Sequence, residues 1–145
     1  MNERIAFFLH IEPSPPKVTH QEKKFGGVAK DGTPILYMTP ELKSARALLK
    51  AKLAKFKPAA RWTCPIQLTC HWIFPRPKSG EGKFMVRPPD TDNLQKMLKD
   101  VMTECGYWKD DAYVVREIIE KIWVPPEHRH GIAISLIDLT TENKG

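Results

Sequence analysis

Acidic side chains concentrate between residues 90 and 111. This segment holds six acids and three bases, although the whole chain has a formal net charge of +6. Like charges gathered in this way are costly unless a cation neutralises them. Carboxylate oxygens suit a hard cation such as Mg²⁺ or Mn²⁺, so the segment predicts a divalent-metal site. The acids are Asp90, Asp92, Asp100, Glu104, Asp110 and Asp111.

The first two aspartates and a nearby lysine have a spacing that suits phosphate chemistry. A helix is predicted over about residues 93–105, with Asp92 as its N-cap and Gln95 completing a capping box. Asp90 lies two residues earlier, so in an extended lead-in its side chain points the same way as that of Asp92. Lys96, one turn into the helix, could then reach a phosphate oxygen held by the metal. Several carboxylates and one cation are the parts that a metal-dependent phosphodiester hydrolase needs.

Asp111 is far along the chain from this group. A helix of about 13 residues carries the chain about 20 Å away from Asp92. The six residues from Gly106 to Asp111 recover at most about 20 Å when extended. Two arrangements therefore stay open. Either the segment doubles straight back along the helix, or Asp111 serves a site that a second subunit completes.

Purely structural roles for these acids are the main alternative. Asp92 could serve only as an N-cap, Asp90 as a turn residue, and Asp110 with Asp111 as an exposed turn before a strand. The protein would then be a non-catalytic DNA-binding module. A phosphatase with Asp90 as nucleophile is disfavoured, because such a motif normally follows an apolar strand and here Arg-Pro-Pro occupies residues 87–89.

The joint pattern is similar to a known signature. Asp90-x-Asp92-Asn93-Leu94-x-Lys96, followed by Asp100, Gly106 and Asp110-Asp111, resembles RusA-type Holliday junction resolvases of bacteria and their phages. The close match covers roughly residues 88–115, and a weaker likeness in the order of elements extends over most of the chain. The resemblance implies that Asp90, Asp92 and Asp111 bind metal and are essential for cleavage. It also implies that Lys96 is the catalytic cation and that Asp110 is either a further metal ligand or an acid next to the ligands.

The same resemblance implies a substrate, a cofactor and an assembly. The expected protein is a homodimer that uses Mg²⁺, with Mn²⁺ as a substitute, and nicks two strands of a four-way DNA junction symmetrically. This activity would serve DNA recombination and repair in the cytoplasm of a bacterial cell, from a bacterial or phage gene. A twofold dimer suits a junction, which offers two equivalent scissile phosphates.

Hydropathy patterns predict the elements that must position these residues. The expected order, β-(β)-α-β-α-β-β, describes a single α+β domain with a mixed β-sheet and two main helices. Thr39-Pro40-Glu41 has the features of a helix start, because Thr is a good N-cap and Pro suits the first helical position. Predicted strands cover residues 4–11, 34–39, 66–74, 112–124 and 131–139, and predicted helices cover about 40–56 and 93–105. Residues 140–145 are expected to fray.

Basic side chains outnumber acidic ones mainly in the first part of the chain. Residues 1–61 hold 12 basic and 5 acidic side chains, and residues 62–145 hold 11 and 12. This bias favours a polyanionic partner, because Lys and Arg displace counterions from phosphates. Two basic loops, 12–33 and 75–89, and one side of the first helix are the predicted DNA surfaces, although those helix cations would equally suit a solvated face. The predicted DNA contacts are Lys17, Lys23, Lys24, Lys43, Arg46, Lys50, Arg76, Lys78, Lys83 and Arg87.

Other features carry less functional information. The three cysteines, Cys64, Cys70 and Cys105, lack CxxC spacing and are predicted to be buried, reduced thiols of the core. Residues 128–130, His-Arg-His, are interpreted as a basic turn rather than half a metal site. The aromatic residues Trp62, Tyr107, Trp108 and Trp123 are expected to pack between subunits rather than to stack on unpaired bases. No apolar run is long enough for a membrane span, the N-terminus does not resemble a signal peptide, and no phosphate-binding glycine loop indicates a nucleotide cofactor.

Overall fold

A computed structural model describes residues 4–19 and 24–145. Two helices and six strands follow one another in the described chain. The strands are β1 Arg4–His10, β2 Lys24–Val28, β3 Pro34–Tyr37, β4 Ile66–Pro75, β5 Val114–Val124 and β6 Gly131–Asp138. The helices are α1 Pro40–Leu53 and α2 Thr91–Cys105, and short 3-10 helices cover Asp111–Tyr113 and Glu142–Lys144. The predicted single α+β domain with a mixed sheet is confirmed.

Four of the strands form the main sheet, in the order β1-β6-β4-β5. β4 pairs in parallel with β5 and antiparallel with β6, and β1 pairs antiparallel with β6. The parallel pair requires a crossover, which α2 supplies between β4 and β5. β5 therefore lies at an edge of the sheet, beside the helix that precedes it.

The core lies on one face of this sheet. Every second residue of β4 is buried, as the predicted alternation requires. The apolar side of α2 is buried too, and α1 packs against α2. Gly131 starts β6 with φ +153°, and a Cβ there would meet the Leu9 carbonyl oxygen at 1.9 Å, so only glycine fits. The largest buried side chains include Trp72, Phe74, Tyr107 and Trp108.

Both helices differ from the predictions at one end. α1 begins as predicted, with the Thr39 hydroxyl accepting a hydrogen bond from the Leu42 amide at 3.2 Å. It ends at Leu53, and Phe56 lies in the turn beyond, stacked on Phe7 at 4.8 Å between ring centroids. α2 begins at Thr91, two residues before the predicted start, so the helix wheel is right but the N-cap assignment is wrong.

Two segments that were predicted to be irregular have regular structure. Residues 24–28, inside the predicted basic loop 12–33, form β2 and pair with β3 in a separate two-stranded sheet. The prediction missed β2 because two consecutive glycines and flanking lysines hide its pattern. The tail predicted to fray contains the 3-10 helix 142–144, where Glu142 pairs with Arg116. Neither α-helix in the described ranges is long and apolar enough to cross a membrane.

Candidate active site

A groove of about 390 Å³ lies between α2 and the edge strand β5. Polar and charged side chains of both elements line most of it. The groove holds four carboxylates and two ammonium groups, which is a formal net charge of −2 in a protein of +6. We call it the α2–β5 groove, and it is lined by Thr91, Asp92, Gln95, Lys96, Lys99, Asp100, Asp111, Glu117 and Ile119.

The charged side of α2 supplies one wall. Asp92, Lys96, Lys99 and Asp100 fall on the side of the helix opposite its buried apolar stripe, as the helix wheel predicts. Asp92 is in the first turn, where a carboxylate stabilises the positive end of the helix dipole. It is therefore not the N-cap, and the extended lead-in through Asp92, on which its predicted alignment with Asp90 rests, is wrong.

The chain doubles back after α2 and brings Asp111 into the same groove. Gly106 ends the helix with φ +93°, a left-handed conformation that glycine adopts without strain. Trp108 then forms a parallel bridge with Trp62, just before β4. The 3-10 helix 111–113 follows, and β5 starts beside β4. Of the two arrangements that the sequence left open, the structure shows the one within a single chain.

Asp90 does not line the groove. It is the N-cap residue of α2, but its side chain makes no capping hydrogen bond. The loop before it is anchored by Lys121 of β5, whose ammonium donates hydrogen bonds to the carbonyl oxygens of Arg87 at 2.6 Å and Pro89 at 2.9 Å. The carboxylate of Asp90 is thus exposed at the entrance of α2 and is not engaged with the helix.

A second cavity, of about 330 Å³, adjoins the groove through Asp100 and Asp111. Two cations, Arg46 of α1 and Lys109, line it together with four carboxylates, so this cavity is acidic as well. Asp110 lines this second cavity and not the groove. Its Oδ1 accepts a hydrogen bond from the amide of Ala112 at 2.9 Å. One oxygen of Asp110 therefore has the structural role that the alternative interpretation assigned to it.

The carboxylates of the groove are the kind of ligand that a hard cation binds. Asp92, Asp100, Asp111 and Glu117 offer the oxygen donors that Mg²⁺ prefers. They are spread out, however, because Asp92 and Asp100 are eight residues or about 12 Å apart along the helix axis. Among residues 4–19 and 24–145, no three His, Cys, Asp or Glu side chains form a group that could hold a metal ion.

The predicted DNA contacts fall into three groups. Lys17, Lys43, Lys50, Lys78 and Lys83 are exposed. Two arginines are engaged within the protein. The guanidinium of Arg46 donates a hydrogen bond to the Glu104 carboxylate at 2.6 Å. The guanidinium of Arg87 donates hydrogen bonds to the carbonyl and hydroxyl oxygens of Ser79 and lies over the Trp123 ring. Arg76 is half-buried, Lys24 belongs to β2, and Lys23 lies outside the described residues.

Sequence patterns do not predict the roles of Gln95 and Glu117 in the groove or of Lys121 in the loop before it. Gln95 is buried and links α2 to the sheet, because it accepts a hydrogen bond from the Trp72 indole and donates one to the Cys70 sulfur. It is not part of a capping box. Glu117 and Lys121 belong to β5, where neither apolar alternation nor charge spacing marks a functional position.

The remaining candidates have structural roles. The four aromatic residues Trp62, Tyr107, Trp108 and Trp123 are buried in the core of the single chain, so they pack, but not between subunits as predicted. Burial raises the pKa of the Cys70 thiol to about 12, as expected for a core cysteine. Cys64 and Cys105 are only half-buried at the margin of the core, so the predicted burial is wrong for these two. Residues 125–130 form the turn between β5 and β6, and His130 is buried there against Glu12.

Carboxylates and lysines that line one groove of an α+β domain are among the side chains that a metal-dependent phosphodiester hydrolase uses. A family model described as endodeoxyribonuclease RusA matches residues 13–135. Since the match covers most of the 145 residues, the chain belongs to the RusA endodeoxyribonuclease family. This membership confirms the resemblance and implies nuclease activity on branched DNA, the Holliday junction. No match was found among curated proteins.

Proposed function

We propose that the protein is a Mg²⁺-dependent endonuclease that resolves four-way DNA junctions by paired symmetric nicks, in DNA recombination and repair. The observation that carries the proposal is that Asp92, Lys96 and Asp111 line one groove within one chain. Asp92 and Asp111 are 19 positions apart in sequence, so only the fold brings them into one groove. Their identity and order also match the signature that the sequence resembles.

The carboxylates are the proposed ligands of the metal. Asp92 and Asp111 would hold Mg²⁺ from the two walls of the groove, and Asp90 would add its carboxylate from the entrance of α2. Asp110 would contribute through the oxygen that does not cap the 3-10 helix. When bound, Mg²⁺ or Mn²⁺ supplies Lewis-acid stabilisation of the phosphate and activation of water.

Lys96 is the proposed cation of the reaction. Its side chain leaves α2 one turn after Asp92 and enters the same groove. An ammonium group there binds a non-bridging phosphate oxygen and offsets the negative charge that builds up in the transition state. Because this charge is larger in the transition state than in the bound substrate, Lys96 would contribute more to rate than to affinity.

Cations around the groove are the proposed contacts to the DNA backbone. Arg46 and Lys109 line the adjoining cavity, and exposed lysines follow on α1 and in the loop 75–89. Phosphate contacts of this kind position a branched duplex without reading its sequence. They also keep the DNA close to a groove whose own charge is negative until a divalent cation is bound.

The proposed assembly is a homodimer. Cleavage at two symmetric positions requires two active sites related by a twofold axis. The β2–β3 hairpin carries exposed apolar side chains, and patches of this type mark protein interfaces. They are Phe25, Val28, Ile35, Leu36 and Tyr37.

A labelled four-way junction tests the proposed function. The protein is incubated with the junction in Mg²⁺ or in EDTA, beside a linear duplex of the same arm sequence. We expect paired nicks at symmetric positions of the junction in Mg²⁺ only, with little cutting of the duplex. Binding without nicks at any protein concentration would instead support the non-catalytic DNA-binding module.

A further inference from the structure

An ion pair spans the α2–β5 groove. The ammonium of Lys99, on α2, lies 2.5 Å from Oε1 of Glu117, on β5. Both side chains are only about a quarter exposed, at 24% and 25%. Oε1 of Glu117 is shielded from solvent and accepts no well-aligned hydrogen bond. The negative charge of this carboxylate is therefore neutralised by the ammonium of Lys99.

This pair belongs to the same groove as the proposed metal ligands. Glu117 is the carboxylate that β5 contributes, while Asp92 and Asp100 come from α2 and Asp111 from the 3-10 helix. Lys99 is one turn beyond Lys96 on the same side of the helix. It therefore faces the carboxylates that would bind a cation.

We propose that Glu117 is a further carboxylate of the cation site and that Lys99 competes with the divalent cation for it. This inference rests on the proposed function. Without a divalent ion, Lys99 neutralises Glu117 and lowers the repulsion among the acids of the groove. A partly exposed ion pair is weak enough to be exchanged. A divalent cation carries twice the charge of an ammonium group and prefers carboxylate oxygens, so it can take over the interaction with Glu117.

Two substitutions have opposite expected effects. Glu117→Gln keeps the shape of the side chain but removes a negative charge from the site, so divalent cations should bind more weakly. Lys99→Met keeps most of the aliphatic side chain and removes the competing charge, so divalent cations should bind more tightly. A pair that only joins α2 to β5 would change stability and leave cation affinity unaltered.

Mn²⁺ binding to the full-length protein, followed by electron paramagnetic resonance of the free ion, tests the proposal without requiring cleavage. We expect Glu117→Gln to weaken Mn²⁺ binding about tenfold, the lower end of the effects seen for residues that support metal ligands. We expect Lys99→Met to tighten it severalfold. Glu142→Gln and Lys52→Met, which change the same residue types outside the groove, should leave it unchanged.

The double variant shows whether Lys99 acts through Glu117. If the two compete as proposed, Lys99→Met tightens Mn²⁺ binding less when residue 117 is already Gln. Unchanged Mn²⁺ affinity in both single variants would overturn the proposal, whatever their unfolding midpoints. If Glu117→Gln does not fold, Lys99→Met alone decides, and unchanged affinity in that variant would likewise overturn it.

The same titration separates this proposal from the proposed function. A wild-type protein that shows no saturable Mn²⁺ binding would contradict the metal-dependent nuclease itself. A wild-type protein that binds Mn²⁺ and cuts junctions, with variants that bind Mn²⁺ equally well, would contradict only the role of Glu117 and Lys99.

Discussion

Asp90 and Asp92 can be changed to asparagine with little change in size. Each substitution removes a negative charge that would hold the metal, while the cations that bind DNA stay in place. We therefore expect Asp90→Asn and Asp92→Asn to abolish junction cutting in Mg²⁺ and to leave junction affinity nearly intact. Labelled-junction cleavage and gel-shift titration measure the two effects separately.

The control for these variants is Glu142→Gln, in the 3-10 helix 142–144. Glu142 pairs with Arg116 and does not line the groove. We expect this variant to cut at the wild-type rate. Normal cutting by the Asp92 variant would place the chemistry outside the groove.

Lys96 is expected to act on rate. Lys96→Ala removes the ammonium beside the proposed metal site, and loss of one such stabilising group typically lowers the rate by about 100- to 1,000-fold. Junction affinity should fall much less, because many other cations contact the phosphates. Single-turnover cleavage at saturating protein, with affinity measured in Ca²⁺, tests this expectation. Equal losses of rate and affinity would make Lys96 only a docking contact.

At the scale of secondary-structure elements, Lys121 of β5 holds the loop that leads into α2. Lys121→Met removes the two hydrogen bonds to the carbonyl oxygens of Arg87 and Pro89. Hydrogen bonds to charged groups are worth about 1.5–3 kcal/mol each, and partial exposure reduces this contribution. We expect a loss of about 1–2 kcal/mol in unfolding free energy, and slower cleavage because Asp90 loses its fixed position.

Urea unfolding and single-turnover cleavage measure these two effects of Lys121→Met. Lys52→Met on α1 is the matched control and should change neither quantity. Wild-type stability together with a wild-type cleavage rate would show that the loop is held by its other contacts.

The contact between α2 and the sheet depends on Gln95. Gln95→Leu leaves the Trp72 indole without its acceptor and the buried Cys70 sulfur without its donor. A buried donor without a partner costs about 1–3 kcal/mol, and the apolar replacement recovers part of this loss. We expect a net decrease of about 1 kcal/mol in the unfolding free energy, measured by urea denaturation. An increase in stability would show that the buried amide contributes nothing to the fit of α2.

Local sequence patterns predict most of the helices and strands correctly. They do not predict where Glu117 and Asp111 lie, because that depends on pairing between distant segments of the chain. The alternation in β4 and the apolar stripe of α2 are local, and both agree with the structure. Glu117 was missed because its position in the groove depends on which strand β5 joins. For the same reason, the sequence does not decide whether Asp111 joins Asp92 within one chain. The return of Asp111 to the groove depends on the bridge between Trp62 and Trp108.

The N-cap error shows how closely two local patterns can compete. Both Asp90 and Asp92 are good N-cap types, and Gln95 three residues after Asp92 favoured the later start. The structure uses Gln95 in the core instead, so the helix begins two residues earlier. Tertiary packing decided between the two starts.

The whole molecule is expected to act as a dimer with one cut per protomer. A mixture of wild-type protein with excess Asp92→Asn protein, allowed to exchange subunits, should nick junctions on one strand instead of resolving them. Sedimentation should show a dimer, and Leu36→Ser on the β2–β3 hairpin should weaken it. A wild-type protein that is monomeric at micromolar concentration yet resolves junctions would contradict this assembly.

Asp111 offers the most direct test of the active-site groove, because only the fold brings it into the groove that Asp92 and Lys96 line. Single-turnover cleavage of a labelled four-way junction by Asp111→Asn in Mg²⁺, with affinity for the same junction measured in parallel, is the decisive measurement. We predict wild-type affinity and no detectable cutting. Cutting at the wild-type rate would show that the acids gathered between α2 and β5 do not form the catalytic centre.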